Sequence, residues 1–161
     1  MGIQLTDNLP NNISALLRVA IDDLVKTEAD PRYKINMMEW HSPDTEPDDV
    51  VNELSLCQVC FAGAVMAQRL DADINEYYTP TDFGDDVARK LQTLDHIRTG
   101  NLYGAIQRFY PVDGNGILRD LTKLKQIEEL QKMPFRSYGS DPVLFKECIL
   151  DIANELEKIG L

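Results

Sequence analysis

The stretch EWHSPDTEPDDVVNELSLCQVCFAGAVMAQRL, residues 39–70, decides how the fold of this chain is read. A Trp-His pair and an acidic run lead into Cys57-x-x-Cys60 and then into an apolar segment. Residues 59–67, VCFAGAVMA, are apolar on every side, the pattern of a helix enclosed all round. Within it Cys60, Gly63, Ala64 and Ala67 recur at helical spacing and form a flat stripe that a neighbouring helix can approach, with cysteine acting as a small hydrophobe. The start of that helix sets the chemistry of Cys57. A start at Pro47-Asp48-Asp49 places Cys57 deep in the helix and inert. A start near Ser55 places it in the first turn, where free N–H groups and the helix dipole stabilise a thiolate.

Outward from this segment the dominant signal is helical periodicity. Ile13, Leu16, Leu17, Ala20, Ile21 and Leu24 form one apolar stripe, with Pro10 suited to the first turn and Asp30-Pro31 as the stop. Phe83, Val87, Leu91, Leu94 and Ile97 predict a helix from near Asp82 to Gly100, and Leu102, Ile106 and Phe109 a short one after it. Ile117, Leu121, Leu124, Ile127 and Leu130 suggest a further helix before Pro134. Leu144, Phe145, Cys148, Ile149, Ile152, Leu156 and Ile159 define a last one, with Ser140 or Asp141 as cap, Pro142 at its first position and Gly160 at its end. Only residues 32–41 and the short piece DADINEYYTP, residues 71–80, read as extended, so at most a minor two-stranded element is expected. The expectation is one mainly α domain over residues 1–161, with five or six helices around a buried small-residue central helix.

The chain has 161 residues, 43% of them hydrophobic and 27% charged, which suits a folded domain. It shows no stretch long enough to span a membrane and no signal-peptide pattern, so a cytoplasmic protein without membrane contact is expected. Three cysteines are then expected as reduced thiols. The formal net charge is −11. Residues 35–86 hold twelve carboxylates against Arg69 alone, so the whole net charge resides in one third of the chain. Such a surface repels phosphates and disfavours direct nucleic-acid binding, while favouring a protein partner with a basic surface.

Three chemistries compete for the conspicuous residues. Cys57 with His41 could act as nucleophile and base of a small hydrolase or transferase. Cys57, Cys60, Cys148 and His41 could form a Cys₃His zinc site, although no second Cys-x-x-Cys or His-x-x-x-His supports it. A thioredoxin-like role requires a strand immediately before the helix, and the extended segment seen in the sequence ends well upstream. Trp40 reads as an indole anchor to the core, and His96 as a solvent-facing or capping residue near a helix C-terminus. DFG at Asp82–Gly84 lacks the other kinase elements, and DGNG at Asp113–Gly116 lacks both carboxylate ends of a calcium loop. No cofactor motif occurs.

The order NMMEWH, CQVCFAGAVMA, PTDF and KLQTLDHIRTGNLYGAI, spanning roughly residues 33–106, resembles a set of small uncharacterised proteins encoded by bacteriophages and prophages. That resemblance carries no catalytic assignment. It implies a host-cytoplasmic setting and, by the habit of small acidic phage proteins, an inhibitor or nucleic-acid mimic that presents carboxylates to a basic groove. The leading expectation is therefore a non-enzymatic acidic binding protein. Its partner-binding residues are Asp44, Glu46, Asp48, Asp49, Asp71, Asp73, Glu76, Asp85 and Asp86.

Overall fold

The computed structural model describes residues 9–43, 57–110 and 120–161. Helix α1, Ile13–Glu28, begins where the Asn12 side chain accepts the Ala15 N–H. This cap leaves Pro10 ahead of the helix and not in its first turn. Two short strands follow, β1 (Tyr33–Ile35) and β2 (His41–Pro43), and then β3 (Cys57–Val59), which passes into helix α2 (Phe61–Arg69). A 3₁₀ turn over Pro80–Phe83 precedes α3 (Asp85–Ile97), α4 (Leu102–Phe109), α5 (Leu121–Gln131) and α6 (Pro142–Lys158). The protein is mainly α, as the periodicity requires.

Several ends form for the reasons legible in the residues. Asp141 accepts the Leu144 N–H with Pro142 at the first helical position of α6, so an orphan amide is satisfied and a missing one costs nothing. After α3 the chain turns at Gly100, whose φ is +78°, in the left-handed region open to glycine. The expected α3 start near Asp82 is corrected to Asp85: Asp82 instead closes a capping box with Thr79 on the 3₁₀ turn, and its carboxylate accepts the Thr79 N–H at 2.8 Å.

The larger corrections concern residues 57–60. A helix running through Cys57 from Pro47 or from Ser55 is excluded, because Cys57, Gln58 and Val59 form the central strand of a three-stranded sheet. Strand β1 pairs with β3 in parallel, Tyr33 opposite Cys57, and β2 pairs with it antiparallel, Pro43 opposite Cys57 and His41 opposite Val59. The sheet thus has one strand more than expected. The chain turns from strand to helix at a single residue, Cys60, whose sulfur accepts the Gly63 N–H at 3.4 Å.

One hydrophobic cluster draws on all six helices, from Ile13 and Leu17 on α1 through Phe61 and Val65 on α2 to Phe145 and Leu156 on α6. Helix α2 lies against α1, α3 and the sheet, and Phe61 meets Phe145 edge-on at 5.6 Å between ring centroids. The small-residue stripe has a partner other than the expected helix at one position: a β-carbon on Gly63 would lie 1.8 Å from the Trp40 carbonyl oxygen and 2.9 Å from Cβ of Val59. Gly63 therefore faces backbone, which cannot rotate away as a side chain can. Trp40 is half-buried and packs on the core, the anchoring role its indole suggests.

Charge within the core is paired. Asp23 on α1, 1% exposed, receives Arg69 through Nε at 2.9 Å and through its second nitrogen at 3.1 Å. Burial nevertheless raises the Asp23 carboxyl above its ordinary range, against the lowering effect of Arg69. Lys90, also 1% exposed, donates to the Leu9 carbonyl at 3.2 Å and to Asn11 at 2.8 Å, which ties the segment before α1 to α3. Among the described residues no helix is long and apolar enough to cross a membrane.

The contact at Gly63 yields a direct test. Gly63→Ala is expected to destabilise the protein by about 3 kcal/mol, at the upper end of ordinary overpacking, since backbone must move to admit the methyl. Urea denaturation of the two proteins measures this, and a change below about 0.5 kcal/mol contradicts the packing.

Candidate functional site

The face of the sheet that looks into the protein is built by alternation: Cys57 and Val59 on β3, and His41 and Pro43 on β2, are buried, while Gln58 and Ser42 between them are half-buried. This brings Cys57 and His41 together. The Cys57 sulfur lies 3.6 Å from Nδ1 and 3.8 Å from Nε2 of His41. A sulfur almost equidistant from both ring nitrogens is off the in-plane axis of each, so neither nitrogen is aimed at the thiol as a base would be.

His41 is committed elsewhere. Its Nδ1–H donates to the Glu76 carbonyl at 2.9 Å, which assigns the proton to that nitrogen because a carbonyl can only accept. Its own carbonyl accepts the Tyr78 N–H at 3.2 Å, and the two residues form an antiparallel bridge. Tyr78 meets the imidazole edge-on at 5.1 Å, with Tyr33 on another side at 6.3 Å. One histidine therefore holds the segment carrying Glu76, Tyr77 and Tyr78 by ring, backbone and aromatic contact.

The electrostatics silence the pair. Burial pushes the Cys57 thiol up to about 12 and the Cys60 thiol up to about 11. Burial also lowers the His41 imidazole, against the opposing effect of the hydrogen bond it donates to the Glu76 carbonyl. The pair is thus neutral thiol beside neutral imidazole, whereas an activated Cys-His pair needs the thiolate favoured. The strand-to-helix turn that a redox motif requires is present after all at Val59–Phe61, a correction to the upstream reading, yet both thiols there are buried. The proposed zinc set does not assemble. Cys148 lies on α6, Cys60 caps α2 and Cys57 faces His41, and no group of three or more His, Cys, Asp or Glu side chains among the described residues is placed to hold a metal ion.

The acidic candidates divide by position. Asp44, Glu46, Asp48 and Asp49 lie outside the described residues. Asp71, Asp73, Glu76, Asp85 and Asp86 are all exposed, as is Asp82 between them. Residues 70–88 contain no Lys, Arg or His, and Tyr77 in their midst is 64% exposed. Local bonds shape this segment: Asp71 takes a positive φ of 57°, Asp73 accepts the Asn75 N–H at 2.9 Å, and the Asp73 N–H donates to the Tyr78 hydroxyl at 3.1 Å. Asp86 is the least available. Burial works to raise its carboxyl, but hydrogen bonds from Arg89 at 2.5 Å and Lys90 outweigh it and hold it below the usual range. The meeting of His41, Glu76 and Tyr78 is not legible in the sequence, because it joins residues some 35 positions apart and two of its hydrogen bonds end on backbone atoms, which carry no residue signature.

Compared with protein-family models, curated proteins and solved structures, the chain matches none.

Two measurements follow from the buried pair. Cys57 and Cys60 in the folded protein should react with a disulfide reagent at pH 7 orders of magnitude more slowly than in urea, and rapid labelling of Cys57 contradicts the geometry. The folded imidazole of His41 is depressed, so its contribution to stability is present above the unfolded value near 6.5 and is lost as pH falls through the lower folded value. Thermal melts of wild type and His41→Gln between pH 4 and pH 8 should show that added acid sensitivity in the wild type alone.

Proposed function

We propose that the protein is a binding module that engages a partner with a basic surface through the acidic segment between Asp71 and Asp86. The observation that carries this reading is the run of exposed carboxylates at Asp71, Asp73, Glu76, Asp82, Asp85 and Asp86, uninterrupted by any base, with the exposed Tyr77 ring among them. Carboxylates in such density raise the local negative potential and speed the approach of a cationic partner, while an aromatic ring supplies contact area at small entropic cost. The segment is fixed through Tyr78 and Glu76 on His41, so less ordering accompanies binding than for a free tail.

The four carboxylates at residues 44–49 belong to the same proposal on sequence grounds. Pro43 and Cys57, which flank residues 44–56, are register partners at one end of the sheet, and strand β2 between His41 and Pro43 is bridged on its other side by Tyr78. The resemblance to phage-encoded proteins makes a host protein the natural partner, with inhibition or nucleic-acid mimicry as the consequence. A hydrolase or transferase using Cys57 and His41 receives no support from a buried, neutral pair.

The test is a quadruple reversal, Asp71→Lys, Asp73→Lys, Glu76→Lys and Asp85→Lys, which spares Asp86 because of its bonds to Arg89 and Lys90. Capture of proteins from a bacterial lysate at 50 mM salt should fall at least tenfold for the variant, and for the wild type at 500 mM salt, with unchanged helical circular dichroism. Capture that is indifferent to both changes defeats the proposal.

A further inference from the structure

Helices α3 and α4 run side by side in opposite directions. The C-terminal part of α3 meets the start of α4, where a β-carbon on Gly104 would lie 2.9 Å from Nδ1 of His96. Its middle meets the end of α4, where Arg89 donates to the Phe109 carbonyl. Between their outward faces lies a cleft of about 650 Å³, within the range of small-molecule sites. On α3 its wall is the stripe Asp85, Arg89, Gln92 and His96, which extends over about 16 Å at helical rise. On α4 it is Gly104, Gln107 and Arg108.

The chemistry of this lining differs from that of the rest of the chain. Two guanidiniums, two amides and an imidazole offer donors, and the only carboxylate is Asp85 at one end. In a protein of net charge −11 this lining gathers two guanidiniums on one cleft, Arg89 already paired with Asp86 and Arg108 exposed. Arg89 is also pre-positioned. Its guanidinium donates to the Phe109 carbonyl and to Asp86, and stands 5.3 Å from the centroid of the Phe109 ring. These contacts hold the fork in place and leave part of its donor set for another acceptor. Arg108 lies on the same cleft, exposed, one position before Phe109. An oxyanion seated between the two guanidiniums would accept charge-assisted hydrogen bonds from the donors they have left.

The floor has a steric requirement of its own. Asn101 caps α4 through the Gly104 N–H at 2.9 Å, and its amide nitrogen lies 3.4 Å from Nδ1 of His96. A side chain at Gly104 would collide with both. The glycine keeps the His96 end of the cleft open.

We propose that the α3–α4 cleft binds a small organic phosphate, with the phosphate held between Arg89 and Arg108 and the remainder lying along Gln92, Gln107 and His96. The site differs in chemistry from the acidic partner surface and adjoins it at Asp85, which lines the cleft, and at Asp86, which is bonded to Arg89. A guanidinium pair fits the tetrahedral dianion of a phosphate monoester better than a singly charged carboxylate.

The probes are inorganic phosphate, ribose 5-phosphate and acetate, titrated into the ¹⁵N-labelled full chain at constant ionic strength and followed by amide chemical shifts. The expected result is saturable change confined to residues on the facing sides of α3 and α4, tighter for ribose 5-phosphate than for phosphate and weakest for acetate. Arg108→Gln, an exposed replacement that leaves the core untouched, should weaken ribose 5-phosphate at least tenfold, as should Arg89→Gln. Because Arg89→Gln also loses contacts to Phe109 and Asp86, the exposed Arg108 variant decides the matter. The proposal is overturned by absent or non-saturating shifts, by shifts centred elsewhere, by acetate binding as tightly as ribose 5-phosphate, or by an unaltered affinity in Arg108→Gln.

Discussion

At Gly63 a β-carbon would stand 1.8 Å from the Trp40 carbonyl oxygen, so α2 and the chain entering β2 meet backbone to backbone. Much else follows from that approach. With α2 seated there, Cys60 can cap the helix by its sulfur while its thiol points at the same Trp40 carbonyl at 3.9 Å. Strand β3, one residue upstream, is then held between β1 and β2. The sheet is too short to persist alone, with three residues in each strand, and it survives because α2 buries one face of it. The position of His41 on that face, and through it the placement of Glu76 and Tyr78, depends on the same seating.

Charges in this molecule divide by environment. Asp23 and Lys90 are enclosed, and each has partners that answer its charge or its hydrogen bonds: Arg69 for Asp23, and Asp86, Asn11 and a backbone carbonyl for Lys90. A buried pair of this kind contributes little over an apolar replacement, but loss of one partner is severe, so its role is to fix which surfaces meet. The acids at Asp71, Asp73, Glu76 and Asp85 have the opposite setting. They are exposed and bring no compensating base from their own segment. Surface carboxylates crowded together repel one another and weaken the compact state somewhat. A cationic surface laid across them would relieve that repulsion.

The helices were legible because their information is local. The stripe from Ile13 to Leu24, the Asp141-Pro142 start and the Gly100 stop all appear in the structure, since each depends on neighbours within a turn or two. The sheet was not legible for the converse reason. A three-residue strand shows no alternation, and β3 lies in an apolar run whose pattern is equally that of a buried helix. Only pairing with Tyr33–Ile35 and His41–Pro43 distinguishes them, and pairing is a property of distant residues. Cys57 accordingly lies on a strand where the sequence predicts a helix, and its nearness to His41 comes from the pairing of β2 with β3. The α3–α4 cleft is not legible in the sequence because Arg89, Gln92 and His96 occupy the polar side of an amphipathic helix, where such residues are ordinary. Their significance comes from Gln107 and Arg108 opposite.

Burial of the Cys57–His41 pair acts in two directions. Enclosure removes water from the thiol and imidazole, which favours the neutral form of each and disables nucleophilic chemistry. The same enclosure strengthens the Nδ1–H bond from His41 to the Glu76 carbonyl, since a hydrogen bond shielded from solvent competes with no water. A solvent-exposed dyad would be more reactive but would hold the segment from Glu76 to Tyr78 less firmly. The geometry therefore trades reactivity for position, and what it positions is an acidic surface.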